Sequence, residues 1–282
     1  MTTTARVSLW RSSLTCIASL VVMASTLVAE SPESLSRAGI PFLSSLSSDE
    51  ALRFPNMHVT HEWKLQSSFE RRYDLPEFDQ FQISAARFED RYTVSAGFTH
   101  RPVADFYSES DLVISGSFRH GRFRALVGLN ARLTNTTLPD LTESSTFTWG
   151  TLALGYDFGR VKGVVNAEKL SSSDNRNVTR HHVIHLVSEW LYARDLYLLA
   201  SARFEKLQPP RFAFAHILPL GESVDASIGF RSAPNEYTGG LDVGLGKMHL
   251  LYGAAIHPTL GLTHSVGLEV RLGERAISSG IF

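Results

Sequence analysis

Beyond about residue 90 the chain breaks into runs of about ten residues that alternate apolar and polar, separated by breaks that are tight and long by turns. Residues Arg122–Thr134 show this best. Phe123, Ala125, Val127, Leu129, Ala131 and Leu133 fall on one face, and Arg122, Arg124, Gly128, Asn130 and Arg132 on the other. One such strand suits many soluble folds. A dozen in series behind an export signal constrain the chain to an antiparallel β-barrel whose outer wall meets hydrocarbon.

The start of the chain reads as that signal. Arg6 and Arg11 flank a short polar stretch, Leu14 to Val28 is almost wholly apolar or small, and Ala29 precedes Glu30. This makes residues 1–29 a secretory signal peptide, with cleavage after Ala24 as a competing choice. A retained anchor is the alternative, and the stretch is marginal in length for one. Ser13-Leu14-Thr15 before Cys16 is a poor lipoprotein signal.

Cys16 is the only cysteine, so the mature chain would hold no disulfide, cysteine metal site or thiol nucleophile. Loss of Arg6 and Arg11 with the leader takes the formal net charge from −1 to −3. No basic stripe points to nucleic acid. Beyond the leader no apolar run is long enough for a membrane helix, which leaves a barrel open because a barrel shows lipid only every second residue.

Residues 30–55 are serine-rich and lack alternation. Ser47-Ser48-Asp49-Glu50 before Ala51 and Leu52 has the form of a capping box opening one short helix. This segment reads equally as a small plug or as a disordered leader. Residues 56–282 form the barrel. About fourteen strands are expected, near His58–Ser67, Phe78–Phe88, Tyr92–His100, Leu112–Arg119, Arg122–Thr134, Phe147–Phe158, Val161–Leu170, His182–Trp190, Leu196–Glu205, Arg211–Leu218, Val224–Arg231, Tyr237–Leu245, Met248–Ile256 and Thr263–Leu272.

Tight breaks fall at Glu89–Arg91, His120-Gly121, Gly159-Arg160, Ala193–Asp195, Leu220–Ser223 and Gly246-Lys247. Long polar breaks fall between them, at Arg101–Asp111, Asn135–Thr146, Ser171–His181, Lys206–Pro210, Ser232–Glu236 and His257–Leu262. An up-and-down barrel with both termini in the periplasm needs this order. A Greek-key sandwich has no reason to keep it.

The two faces differ in chemistry. Lipid-facing candidates include Tyr92, Val94, Leu112, Ile114, Val224, Ile228, Val266 and Leu268, and aromatics such as Phe98, Phe118, Phe204 and Phe230 sit at strand ends, where interfacial girdles belong. Core aromatics of a sandwich are the alternative. The opposite face carries Arg119, Arg122, Arg124, Arg132, Lys162, Glu168, Arg203, Glu205, Asp225, Arg231, Asp242, Glu269 and Arg271, which a dry core would not accept. These thirteen are the candidate lumen-lining residues. Strands six, eight and ten are expected to show large apolar residues on both faces, namely Trp149 and Leu154, Ile184 and Trp190, and Phe212 and Phe214.

Little else suggests chemistry. In Arg180-His181-His182-Val183-Ile184-His185, neighbouring side chains point to opposite faces, so His181 and His185 form at most a two-ligand metal site. Ser265 beside His264 offers the materials of a hydrolase, but there is no nucleophile elbow, zincin motif or phosphate loop. No metal or other cofactor is expected, and no catalytic residue. The sequons Asn135-Thr136-Thr137 and Asn177-Val178-Thr179 read as chance matches.

Three C-terminal stretches carry a family resemblance: Gly229–Leu241 with its Ser-Ala-Pro-Asn-Glu-Tyr, Leu251-Tyr252-Gly253-Ala254-Ala255, and His257-Pro258-Thr259-Leu260-Gly261-Leu262-Thr263-His264 leading into Ser265–Leu268. They resemble the closing hairpins of PorV-type, FadL-like outer-membrane barrels. Ala38-Gly39-Ile40-Pro41-Phe42-Leu43 is faintly similar to that family's opening, while its Met-Gly-Gly-Ala run and Asn-Pro-Ala motif are missing. The resemblance implies a barrel of about fourteen strands. Phe282 lies past the last strand, which displaces the usual C-terminal aromatic insertion signal.

These readings lead to an all-β, antiparallel up-and-down transmembrane barrel of the cell outer membrane. Its expected partners are outer-membrane lipid, the barrel-insertion machinery and a small-molecule solute. Passage or binding of an anionic, amphipathic or hydrophobic solute is the leading function, since the arginines slightly outnumber the carboxylates. A non-conducting scaffold of an envelope assembly such as a secretion system, and a lipid-acting enzyme, are the alternatives.

Overall fold

The computed structural model describes residues 61–274 except 105, 139–140, 175–181, 194–195 and 234, together with residues 37, 46–48, 50–55 and 57. The leader with Cys16, Ala38–Leu43, Asn177, His181 and Phe282 lie outside the described residues.

Fourteen strands close into one antiparallel barrel: β1 (His61–Arg71), β2 (Gln80–Phe88), β3 (Tyr92–Ala104), β4 (Tyr107–His120), β5 (Phe123–Leu138), β6 (Leu141–Asp157), β7 (Val161–Asp174), β8 (Val183–Ala193), β9 (Leu196–Glu205), β10 (Arg211–Pro219), β11 (Val224–Ser232), β12 (Asn235–Leu245), β13 (Met248–His257) and β14 (Gly261–Glu274). Each pairs with its neighbours in sequence. Closure comes from β1 and β14, with Leu65 opposite Val270 and Phe69 opposite Val266. A closed ladder leaves no strand edge unpaired.

One end of the barrel holds the tight turns, the start of β1 and the end of β14. Gly121, Gly159 and Gly246 take positive φ values of 57°, 93° and 70° in those turns, a backbone region that side chains resist. At the other end the structure corrects the expected loops. Most of Arg101–Asp111 and Asn135–Thr146 is strand, so that β3 to β6 reach 13 to 17 residues. Outside the apolar belt nothing selects for alternation. Ladder hydrogen bonds need no apolar side chain, and Thr134, Thr136, Thr137 and Thr142 suit extended backbone.

The outward face carries Trp63, Leu65, Ile83, Val94, Ile114, Val127, Leu129, Leu152, Leu154, Val165, Ile228, Leu250, Val266 and Leu268, all exposed. Aromatics bound this belt. Tyr92, Phe118, Phe123, Tyr156 and Trp190 stand toward the tight turns, and Phe69, Phe81, Phe98, Phe212 and Tyr237 toward the other end. Ile184, Trp190, Phe212 and Phe214 all point outward, contrary to the two-faced reading of β8 and β10; positions of equal parity share a face. Only β6 keeps that reading, because Trp149 lies on its inner face with Asn130 opposite, while Leu154 is outside.

The packed core lies within the cylinder. Leu46, Ala51, Phe54 and Met57 from the N-terminal segment bury themselves against Phe88, Leu126, Val164, Val187, Leu199 and Ile217 of the wall. A single sheet has no second layer, so this segment supplies the apolar partner that the inner wall of β5 to β10 requires.

Candidate functional site in the lumen

Following the strand registers round the barrel sorts the inward side chains by height. Near the tight-turn end lie Lys64, Arg119, Arg124, Lys162, Glu189, Asp225, Asp242, His249, Glu269 and Arg271. Toward the other end lie Glu70, Arg101, Glu109, Asp111, Arg132, Glu168, Arg203, Glu205, Arg231 and Glu236. Between the two charged belts runs a waist of small, uncharged positions such as Ser84, Ser95, Gly97, Ser115, Ala153, Ala215, Gly240 and Gly253, broken by His185.

Twelve of the thirteen lumen candidates stand at inward positions of their strands. Arg122 does not, because it falls in the exposed turn between β4 and β5. Arg124 is buried but turns down to the turn, donating to the carbonyls of Gly121 (2.6 Å) and Phe123 (2.9 Å). Arg132 binds Asp111 through two bonds of 2.6 and 2.9 Å and lies 3.2 Å from Glu109. Arg101 joins them, 3.1 Å from both Glu109 and Asp111 and donating to Gln80 at 2.8 Å. Elsewhere Lys162 meets Glu189 at 3.0 Å, Arg231 pairs with Glu236, and Arg271 donates to Glu269 at 2.6 Å.

Sequence reasoning missed Arg101, Glu109 and Asp111 because their stretch has the polar composition of a loop. Lys169 was hidden by a local irregularity. It adopts φ 60° where the β6–β7 register shifts, and Nζ reaches Glu205 at 3.1 Å. Bulges commonly re-aim a side chain in this way.

The described residues 46–48, 50–55 and 57 cross the waist. Ser47 and Glu50 form the reciprocal capping box, Glu50 N–H donating to Ser47 Oγ (3.2 Å) and Ser47 N–H to Glu50 Oε2 (3.1 Å), at the head of a single 3-10 turn, Glu50–Leu52. Burial pushes the Glu50 carboxyl above its ordinary range, against the pull of the Arg37 guanidinium that pairs with it. The wall grips the segment largely through its backbone. Lys64 Nζ donates to Leu46 O (2.8 Å), and the Ser95 and Ser115 hydroxyls donate to Ala51 O (2.9 and 3.1 Å). Ser48 and Ser84 hydroxyls bond at 2.8 Å, and the Phe54 ring meets His185 edge-on at 5.6 Å. These contacts reach from β1 and β2 to β8, across the full bore.

Above the waist, Phe147 and Trp149 stack at 5.0 Å and the Arg132 guanidinium lies 5.9 Å from the Trp149 ring. His185 faces the lumen, His182 is exposed with its Nδ1 3.1 Å from Lys169 O, and among the described residues no group of three His, Cys, Asp or Glu is placed to hold a metal ion. Ser265 points inward to Phe69 O (3.3 Å), whereas His264 points outward to the Tyr252 hydroxyl (2.8 Å). Opposite faces prevent that serine and histidine from acting together.

No protein-family model and no curated protein matches the chain. Among solved structures it is similar to the Pseudomonas putida toluene transporter TodX, with a TM-score of 0.61 at 9% identity over 87% of this chain and 97% of that one. The CymD monoaromatic hydrocarbon channel gives 0.54 at 10% identity, again over 87% and 97%. At such identities the likeness is one of fold; the fourteen strands of this barrel match the number that the FadL-like resemblance implies.

Proposed function

We propose that the chain is an outer-membrane barrel that passes a small solute, with residues 46–57 as a displaceable plug. The apolar belt supports the membrane. From Phe123 to Leu133, β5 climbs about 25 Å at ~3.3 Å per residue and a tilt of about 40°, the height of a hydrocarbon band. The observation that carries transport is the plug's attachment: it crosses the bore as a separate stretch of chain, packed through four apolar side chains and tied to the wall by a few hydrogen bonds, without covalent cross-links.

The solute favoured is small, uncharged and amphipathic. The upper arginines offer no open positive field, since Arg101, Arg132 and Arg231 are engaged by carboxylates. The waist presents hydroxyls on β2 to β4 and small apolar side chains on β10, and the Phe147–Trp149 stack offers an aromatic face above it. That TodX and CymD handle aromatic hydrocarbons fits this reading.

Ser48→Cys with Ser84→Cys, in a Cys16→Ser chain, tests it by single-channel recording in planar bilayers. Oxidation should lock the plug and silence the barrel, and reduction should restore discrete steps. Silence under both conditions would overturn transport and favour the scaffold barrel.

A further inference from the structure

We infer that the tight-turn mouth of the lumen holds a site for a small, donor-rich organic cation, of the alkylammonium class, between Gln66, Glu269 and His249. The three are direct cross-strand neighbours on the inner face: Gln66 on β1 opposes Glu269 on β14, and Glu269 opposes His249 on β13. All are buried, at 5%, 0% and 8% exposure. Both amide atoms of Gln66, Glu269 Oε2 and His249 Nε2 are without hydrogen-bond partners. Buried polar atoms are seldom left so, and three adjacent residues in one row make a pattern.

Their chemistry defines the ligand. His249 Nδ1 lies 2.8 Å from Asp242 Oδ1. A carboxylate only accepts, so Nδ1 carries a proton, and in the uncharged tautomer that this fixes Nε2 is an acceptor. Nε2, Glu269 Oε2 and Gln66 Oε1 are then three neighbouring acceptors with a single side-chain donor group, Gln66 Nε2, among them, so the row is short of donors. A group with several N–H donors satisfies them together.

Charge points the same way. Glu269 and Asp242 share one guanidinium, Arg271, at 2.6 and 3.9 Å. Asp225, directly opposite Asp242, adds a third carboxylate at the exposed rim, where a cation would enter. Lys64 on the adjoining strand is committed to Leu46 O and to Glu62 at 3.7 Å. With Arg37, whose charge reaches Asp225, already paired to Glu50, the carboxylates Glu62, Asp225, Asp242 and Glu269 outnumber Lys64 and Arg271, which disfavours an anion, and among the described residues no three His, Asp or Glu side chains are placed to hold a metal ion. The site does not depend on whether the barrel conducts.

The test is the unfolding temperature of the purified full-length protein in detergent, read by heat-modifiable gel migration. Methylammonium chloride is titrated at constant ionic strength against NaCl, with MgCl2 as a separate arm. A saturable rise with methylammonium is expected. Its half-saturating concentration should increase at least tenfold in Glu269→Gln and in Gln66→Leu, and stay unchanged in Glu236→Gln at the far belt. If Glu269→Gln does not fold, Gln66→Leu gives the same reading without removing a charge. No saturable rise, an equal rise in Gln66→Leu, or a residue-dependent rise with Mg2+ alone would overturn the inference.

Discussion

Lys64 Nζ donates a 2.8 Å hydrogen bond to the carbonyl of Leu46, so a cation of the barrel wall holds the backbone of the segment inside it. The same ammonium lies 5.4 Å from the Phe88 ring centre, which Lys64→Met would still cover. Loss of this charged bond costs about 1.5–3 kcal/mol, or roughly a tenfold to hundredfold larger population with the segment released. Limited trypsinolysis after Arg53 should accelerate by about that factor. An unchanged rate would mean that Lys64 does not hold the segment.

Gly97 lets the segment approach the wall. A Cβ there would stand 2.5 Å from Leu52 Cδ1 and 3.4 Å from Ser84 Cβ. Gly97→Ala should destabilise the folded barrel by about 1–2 kcal/mol through overpacking. Leu52→Ala in the same chain should relieve most of that cost, as a double-mutant cycle in urea would reveal. Additive effects would place Leu52 elsewhere.

The Arg101–Glu109–Asp111–Arg132 cluster joins β3, β4 and β5 above the waist. Asp111→Ala leaves two buried guanidiniums short of an acceptor and should cost about 3–5 kcal/mol. Asp111→Leu with Arg132→Met should cost less than the sum of the single changes, because each removes a charge that the other would strand. Equilibrium unfolding in lipid vesicles checks both.

The order of strands was legible in the sequence because burial of one face enforces a period of two. Val127 and Leu129 alternate with Leu126, Gly128 and Asn130, as the barrel wall requires. The Ser47–Glu50 capping box was equally plain, being a local hydrogen-bond pair. Closure of the last strand on the first was legible as well, but the residue partners it makes were not. Nothing near Gln66 announces Glu269, some two hundred residues later, as its neighbour. Nor does alternation mark where β3 to β6 end, since hydrogen bonds alone carry those strands past the apolar belt. Arg122 was misplaced for a related reason: a polar residue one step before a strand cannot be told from its inner face.

Val127 lies near the middle of the apolar belt of β5 and is 65% exposed. On a water-facing wall Val127→Arg would change stability by less than about 0.5 kcal/mol. In hydrocarbon the cost is about 2–4 kcal/mol near the midplane. Folding yield into vesicles, compared with Thr136→Arg beyond the belt, separates the two.

Tryptophan quenching by brominated lipid tests the membrane-spanning barrel most directly. Trp63 and Trp190 face outward at 45% and 49% exposure, and Trp149 faces the lumen. In single-tryptophan variants folded into vesicles, bromine on the acyl chains should quench Trp63 and Trp190 strongly and leave Trp149 nearly unaffected. Strong quenching of Trp149, or none of Trp63 and Trp190, would contradict the account.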